Sequence, residues 1–352
     1  MSVLSFALYA VIAALSFYLL IVGKALLLPV VVAIVFWYLI ATLASTYRRI
    51  HVGDIHLPGW ASLTLAILTF VGLLTGVIEM ARGNVADVVA AAPTYQQNLE
   101  GLIDRVYGLI GIKEVPTISQ LLQSIDLGNI ATQLASSLTS FAGNVGIILV
   151  YVLFLLVEQG SFNAKLEAMV SDPERRDRVR RMIERINADV RTYIWIKTLM
   201  SVLTGGVSYV VMRIAGVDFA EFWAVIIFLL NYIPTIGSIL GIVFPAVLAL
   251  VQFNTFGPFL IVLVGIGAAQ VVIGNVLEPR LMGRTLNLSP LVILFSLALW
   301  GSIWGIIGMF LSVPIMVIAV IIMAQFPHTR PIAIFLSANG QVAEVDDPDR
   351  KA

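Results

Sequence analysis

The chain has no cysteine and only three histidines among its 352 residues. Without cysteine it can form no disulfide bond, thiolate metal site or cysteine nucleophile. The histidines His51, His56 and His328 fall in predicted loops, and the sequence contains no HExxH, Walker A or GxSxG pattern. These absences argue against an enzyme, and we expect neither a resident metal ion nor a cofactor.

Charged residues are scarce as well. They make up 12% of the chain, whereas about 25% is usual for a soluble domain. Hydrophobic residues make up 59%, and the mean hydropathy is +0.98. The 21 basic and 21 acidic residues balance, so nothing indicates a nucleic-acid partner. The composition predicts an all-α polytopic membrane protein that is embedded in lipid.

Apolar runs of membrane-spanning length recur along the chain. Runs near 3–22, 25–45, 60–81, 141–157, 193–215 and 257–277 predict about six full spans. The predicted regions are N-terminal spans at 1–82, an extracytoplasmic helical insert at 83–140, a span at 141–158, an arginine-rich amphipathic helix at 159–192, a transport core at 193–326 and a tail at 327–352.

The arginine-rich segment predicts the orientation of the chain. Residues 159–192 carry seven arginines and one lysine, and short loops rich in such residues stay on the cytoplasmic side. Alternation of the spans then places the N-terminus and the C-terminus in the cytoplasm. Ser171 and Glu174 form a capping box around Pro173, which predicts a helix that begins there and runs into the fifth span.

Two further hydrophobic stretches are broken near their middles. The stretch 219–253 contains the break Asn231–Gly237, and the stretch 288–326 contains the break Gly301–Gly305. Irregular backbone at bilayer depth is tolerated only where protein buries it or where it lines a cavity. A pair of such stretches is typical of the binding site of a transporter.

Charge placement predicts how the broken stretches enter the membrane. The basic motif Glu278–Arg284 is expected in the cytoplasm, so the first stretch has to begin and end outside, as a re-entrant hairpin. The second stretch would begin and end inside, and the two units would form an inverted repeat. The alternatives for each stretch are two short tilted spans or one long broken helix.

Polar and ionisable residues within spans are candidate functional groups. The predicted substrate or ion pathway consists of Asn231, Pro234, Thr235, Gly237, Gln270, Asn275 and Glu278. The predicted hinge and packing positions are Gly241, Pro245, Pro279, Gly283, Gly305, Gly308 and Pro314.

Glu278 is the strongest of these candidates. It follows Asn275 by three residues, so a regular helix would put both on one face, where the carboxylate could exchange a proton or bind a cation. The alternative is an interfacial ion pair between Glu278 and Arg280 or Arg284.

Four runs of the chain resemble the autoinducer-2 exporter (AI-2E) family. They are Tyr193–Met200 with Gly205 and Gly206, Asn231–Gly237 with Phe244–Leu248, Asn275–Gly283, and Leu288–Pro290 with Gly305, Gly308 and Pro314. Their order and spacing match the family over about 150–326. The chain departs from the family at Trp195 and Lys197, near a position where a glutamine-like residue is usual.

The resemblance implies a homo-oligomeric permease of the bacterial or archaeal cytoplasmic membrane. The first functional hypothesis is a secondary transporter that exports a small polar solute, such as an autoinducer-2-like signal, with coupling to an ion gradient. The second is a sodium (or lithium)–proton antiporter, for which Na+ or H+ would be the transported ion. The third is a protein that is not a carrier, such as a membrane channel, a scaffold or a regulatory protein that uses its arginine-rich helix.

Overall fold

The computed structural model describes residues 3–49, 57–110, 127–282 and 287–342, and every regular element in these ranges is a helix. The α-helices are α1 (Val3–Val22), α2 (Lys24–Arg49), α3 (Gly59–Ile110), α4 (Leu127–Glu158), α5 (Phe162–Met169), α6 (Pro173–Ala215), α7 (Ala220–Leu230), α8 (Ile236–Phe253), α9 (Phe256–Gln270), α10 (Glu278–Met282), α11 (Pro290–Ala324) and α12 (Arg330–Leu336). A π-helix, Val271–Leu277, joins α9 to α10.

Six helical segments of the described residues are long and apolar enough to cross a membrane. They are Lys24–Arg49, Gly59–Met80, Pro173–Ala215, Ile236–Phe253, Phe256–Met282 and Pro290–Ala324. The prediction of an all-helical polytopic membrane protein is therefore confirmed. Two of these segments belong to the broken stretches, and their geometry differs from that of a simple span.

The second broken stretch reverses direction inside α11. The hydroxyl of Ser296 donates a hydrogen bond of 3.1 Å to the carbonyl of Ser312, 16 residues later. Along a straight helix these residues would be about 24 Å apart. The reversal occurs at Gly305, whose φ of 66° and ψ of −142° lie outside the helical region. Helix α11 is thus two antiparallel arms, 290–304 and 306–324.

The first broken stretch forms a similar pair from α7 and α8. A Cβ atom on Gly237 would lie 1.7 Å from the carbonyl oxygen of Leu230, and the rings of Trp223 and Phe244 are 6.1 Å apart. Gly237 at the start of α8 lies beside Leu230 at the end of α7, and Phe244 farther along α8 lies beside Trp223 near the start of α7. The two helices are therefore antiparallel.

A strained turn joins α7 to α8. Thr235 has φ 62° and ψ −58°, and the Ile236 amide donates a 2.6 Å hydrogen bond to the carbonyl of Pro234. These values describe a γ-turn of the rare type, a conformation that needs support from its surroundings. Pro234 supplies no backbone donor, which stops α7 from continuing through the turn.

The chain divides into two compact units, each with its own apolar core. Unit 1 comprises Met1–Ala66, Val145–Ile196 and Met282–Ala352. Its core includes Val35, Trp304 and Leu311, and the Trp304 indole donates to the carbonyl of Leu20. Trp304 therefore fixes the first arm of α11 against the N-terminal helices.

Unit 2 comprises Ile67–Asn144 and Lys197–Leu281. Its core is built from α6, α7, α8 and α9 and includes Met212, Ile227, Ala249, Val262 and Ile266. Small residues in this core let the helices approach closely. A Cβ on Gly265 of α9 would lie 2.8 Å from the side chain of Val211 on α6.

Two helix boundaries differ in detail from the sequence predictions. Helix α6 runs without interruption to Ala215, which confirms a helix that continues into the fifth span, but its N-cap is Asp172 rather than Ser171. The Asp172 carboxylate accepts from the Glu174 amide, because a helix that begins at Pro173 makes the preceding residue the cap. Helix α3 continues past the predicted boundary at 82–83 to Ile110.

Some predictions fall outside the described residues. They concern His51, His56, Gly283, Arg284, part of the insert at 111–126 and the end of the tail at 343–352. His328 lies in the turn between α11 and α12.

Candidate functional site

A row of buried polar side chains follows one face of α6 in unit 2. Lys197, Ser201, Thr204 and Ser208 are spaced by three or four residues, which places them on one side of the helix. Lys197 is 5% exposed and the other three are fully buried. Buried polar groups are costly unless they have partners, so this row is a candidate functional surface.

Lys197 forms an ion pair with Glu278, the first residue of α10. Its ammonium group lies 2.6 Å from a carboxylate oxygen, and the two side chains are 7% and 17% exposed. The alternative considered for Glu278 was an ion pair with Arg280 or Arg284; Arg280 is exposed, Arg284 lies outside the described residues, and the partner observed is Lys197. Desolvation offsets much of the attraction in such a pair, whereas loss of one partner leaves a buried charge uncompensated.

The hairpin tip is fixed on the same part of α6. The side-chain amide of Asn231 donates 3.1 Å to the hydroxyl of Ser201, and the Tyr232 hydroxyl donates 2.7 Å to Thr198. Asn231 and Tyr232 are 4% and 5% exposed. Asn231 was predicted to line a pathway; the structure gives it a protein partner one helical turn from Lys197.

Gln270 ends α9 with a buried and unsatisfied amide. The residue is 5% exposed, and neither its amide nitrogen nor its carbonyl oxygen has a hydrogen-bond partner among the described residues. Cβ atoms on Gly241 and Gly274 would lie 3.7 and 3.9 Å from these two atoms. A buried polar atom without a partner costs about 1–3 kcal/mol, so this amide is suited to bind a ligand or water.

The register between α6 and the α9–π-helix–α10 segment places Gln270 and the polar row of α6 at similar heights along the two antiparallel segments. Gly265 lies against Val211, and farther along the chain Glu278 reaches back to Lys197, so the two segments run antiparallel. This register puts Gln270 at the level of Thr204. The hydroxyls of Thr204 and Ser208 also lack partners among the described residues. The unit thus contains donors and acceptors that are buried but not satisfied internally.

The π-helix shapes this site. The amide of Glu278 donates to the carbonyl of Ile273, five residues earlier, which is the wide turn of a π-helix. The α-helical spacing that would put Asn275 and Glu278 on one face does not apply here, and Asn275 is exposed while Glu278 is largely buried. Such local π-helices are frequent at functional sites.

Most of the other predicted positions lie at or beside the two chain reversals. In unit 2, Pro234 is half-buried and Thr235 exposed at the turn, while Gly237, Gly241 and Pro245 are buried along α8; Pro279 is exposed on α10. In unit 1, Gly305 makes the reversal of α11, and Gly308 and Pro314 are buried in its second arm.

Sequence reasoning missed most of the α6 row. Lys197 was noted only as a departure from the family pattern, and Ser201, Thr204 and Ser208 were not considered. Their signal was the spacing of polar residues at three and four positions within an apolar run. A search for polar periodicity inside the predicted fifth span would have found all four.

The described part of the chain thus combines apolar helices of membrane-spanning length, two chain reversals and buried polar groups that have no partner among the described residues. The family model described as AI-2E family transporter matches residues 6–328, so the chain belongs to the AI-2E family of transporters. It is consequently a multi-pass membrane transport protein.

Proteins of known name share much of its length. The AI-2 transport protein TqsA of Escherichia coli K12 is 37% identical over 249 residues, which is 68% of each chain. A Haemophilus influenzae protein named "Putative transport protein" is 30% identical over 300 residues, which is 83% of this chain and 84% of the relative. These similarities agree with the family assignment over nearly the whole chain.

Proposed function

We propose that this protein is a secondary transporter that exports a small polar solute across the cytoplasmic membrane, with coupling to an ion gradient. The observation that carries the proposal is the buried amide of Gln270, which has no hydrogen-bond partner among the described residues and lies at the level of the α6 row. An amide offers two donor hydrogens and an acceptor oxygen. Together with the hydroxyls of Thr204 and Ser208 it can replace the hydration of a neutral polar molecule. An autoinducer-2-like signal is the first solute to test, because the E. coli relative is named for AI-2 transport.

The ion pair is the proposed coupling element. A proton or cation that reaches Glu278 would neutralise the carboxylate and release Lys197, which would weaken the contact between α10 and α6. Because the hairpin tip is bound to α6 through Ser201 and Thr198, a change in this contact would be transmitted to the turn. Transport of Na+ or Li+ in exchange for H+ is the second candidate function, and the buried carboxylate of Glu278 is the observation that favours it.

The proposed alternating access uses the two hairpins as re-entrant elements. Helix α7 has 11 residues and is about 16 Å long, and the first arm of α11 is about 22 Å long. Both lengths fall short of a hydrocarbon core of about 30 Å. These lengths support arms that enter and leave on one side, outside for the first hairpin and inside for the second, as an inverted repeat requires.

The proposed assembly is a homo-oligomer with both chain ends in the cytoplasm. Large apolar side chains are exposed on α3 and α4, including Leu68, Leu73 and Phe154 at 60–70%. Surfaces of this kind suit contact with lipid or with a second copy of the chain.

Substitutions at the ion pair, assayed in proteoliposomes, test the proposal. Solute uptake and the sodium- or lithium-dependent collapse of a pH gradient would be measured for wild type, Glu278→Gln, and the double variant Lys197→Gln/Glu278→Gln. We expect Glu278→Gln to abolish coupling and to destabilise the protein by about 3–5 kcal/mol, since it leaves a buried ammonium uncompensated. The double variant removes both charges and should recover stability without recovering coupled transport.

The exposed carboxylate of Glu221 provides the matched control. Glu221→Gln removes an acid outside the ion pair and should transport as wild type does. If the neutral double variant transports normally, the pair is only structural and the coupling proposal is wrong. If correctly inserted wild-type protein moves neither solute nor cation, both carrier functions are excluded for the tested substrates.

A further inference from the structure

A second polar site lies in unit 1, separate from the α6–Gln270 site. A cavity of about 280 Å³ is lined by residues that include Arg48, Arg191, Gln159, Gly59, Leu63 and Leu156. Arg48 is in the last turn of α2, Gly59 begins α3, and Gln159 directly follows α4. All three therefore come from helix ends, as expected for a site at the membrane surface.

The polar groups of this cavity are hydrogen-bond donors. Neither Arg48 nor Arg191 has a carboxylate partner in the described part of the chain, and the neighbour of Arg191 is the uncharged phenol of Tyr38. Glu158, the acid nearest in sequence to Gln159, is paired with Lys165. Two full positive charges thus remain available for a ligand.

Gln159 and the start of α3 add donors of the same kind. The indole of Trp37 donates 3.1 Å to the side-chain oxygen of Gln159, which occupies its acceptor and leaves the amide NH2 group to donate. The first amides of α3 have no partner within their helix, and helix N-termini favour anions. The C-terminal ends of α2 and α4 each contribute a partial negative charge of about one half. Together these are smaller than the two positive charges of the guanidinium groups.

The rest of the cavity is apolar, and its surroundings suit the interface between lipid and water. Leu63 and Leu156 line it, and Trp60, beside Gly59, is 74% exposed. Exposed tryptophan is enriched at the level of lipid headgroups. The arginine-rich start of α6 indicates that this surface is the cytoplasmic one, where anionic lipids are present.

We propose that this cavity binds the phosphate group of an anionic membrane lipid, with Arg48 and Arg191 as its principal ligands. Arginine binds phosphate through paired hydrogen bonds, and basic pockets between membrane helices accommodate anionic headgroups. The leucines would contact the first carbons of the acyl chains. Occupancy of the site would depend on lipid composition, and a bound lipid would contact the ends of α2, α3 and α4 and the middle of α6.

Binding to the purified full-length protein in detergent tests this proposal. Native mass spectrometry would compare phosphatidylglycerol, phosphatidylcholine and the soluble glycerol 1-phosphate. We expect preferential binding of phosphatidylglycerol, weakened about tenfold by Arg48→Gln or Arg191→Gln, because each removes a charge-assisted hydrogen bond. Arg175→Gln, which changes an exposed arginine in the first turn of α6, should bind as wild type does.

Each outcome decides between a lipid, a soluble ligand and no site. Equal, arginine-dependent binding of glycerol 1-phosphate would assign the phosphate site to a soluble ligand instead of a lipid. Equal binding of both lipids, or binding unchanged in the Arg48 and Arg191 variants, would overturn the proposal. Arg48→Lys and Arg191→Lys retain the charge but not the paired hydrogen bonds, so an intermediate loss in these variants excludes misfolding as the cause.

Discussion

Gly237 and Gly308 make the closest backbone approaches of the two hairpins. A Cβ on Gly237 would lie 1.7 Å from the Leu230 carbonyl oxygen, and one on Gly308 would lie 1.9 Å from that of Trp300. No side chain fits at such distances. Both positions were predicted from the sequence, the first as part of a pathway and the second as a packing residue. The contacts show both where antiparallel arms pack closely, and a pathway role for Gly237 stays a prediction.

Gly237→Ala should destabilise the protein because the new methyl group must displace backbone. We expect a loss of at least about 1–3 kcal/mol, seen as a lower midpoint of thermal unfolding in detergent. Gly267→Ala is the matched control, since no atom lies within 4 Å of its Cβ position and alanine favours a helix interior by about 0.5–1 kcal/mol. Equal midpoints for the two variants would contradict the close packing at Gly237.

Three polar residues of the site, Asn231, Gln270 and Glu278, were predicted from the sequence, but the α6 row and the partners of these residues were not. Gln270 and Glu278 stand out because polar side chains are rare in apolar spans. The pairing of Glu278 with Lys197 joins residues 81 positions apart, and only the register of α6 against α10 establishes it. The expectation that Asn275 and Glu278 share one helical face assumed an α-helix, because a helical pattern in the sequence does not distinguish an α-helix from a π-helix. The place of Asn275 in the pathway stays a prediction.

At the scale of elements, α3 shows how composition can hide a continuous helix. It has 52 residues, which is about 78 Å, and only Gly59–Met80 is apolar enough to span a membrane. The sequence predicts a boundary where the composition turns polar. A change to polar composition is expected where a helix leaves the lipid, but it does not end the helix, which continues past Pro93 to Ile110.

The polar half of α3 is tied to the first hairpin by Tyr95. Its hydroxyl donates 2.9 Å to Asp218, whose amide in turn donates 2.8 Å to Gln252. Tyr95→Phe keeps the ring but removes this bond, so we expect faster hydrogen–deuterium exchange over 91–102, by about fivefold for a loss of about 1 kcal/mol. Tyr18→Phe, at an exposed position on α1, should leave this segment unchanged.

This contact also has a defined pH dependence. Burial, the hydrogen bond to Asp218 and the charge of that carboxylate raise the pKa of the Tyr95 phenol. A group whose pKa is raised by folding contributes its full stabilisation of the fold below its unfolded pKa, which is about 10 for tyrosine. This stabilisation is lost as the pH rises through the folded pKa. The difference in protection between wild type and Tyr95→Phe should therefore stay constant from about pH 6 to 9, and a decline within that range would contradict the donor role of Tyr95.

At the scale of the whole molecule, the sequence predicted the class of the fold better than its connections. Four of the predicted full spans, near 25–45, 60–81, 193–215 and 257–277, coincide with helical segments that are long and apolar enough to cross a membrane, because such a segment needs about 20 apolar residues. Hydropathy alone cannot distinguish α11 from a single long span. The reversal at Gly305 depends on one residue with positive φ and on contacts such as that between Ser296 and Ser312.

Because the chain has no cysteine, single cysteines can determine its topology directly. Glu221→Cys and Thr255→Cys place exposed thiols at the two ends of the first hairpin, and Pro290→Cys and Pro327→Cys do so for the second. We expect a membrane-impermeant maleimide to label the first pair in intact cells. The second pair and the cytoplasmic control Arg175→Cys should be labelled only in inside-out vesicles. A hairpin that crosses the membrane would put the two thiols of a pair on opposite sides. Opposite labelling of Glu221→Cys and Thr255→Cys would therefore refute the re-entrant first hairpin, and with it the inverted repeat.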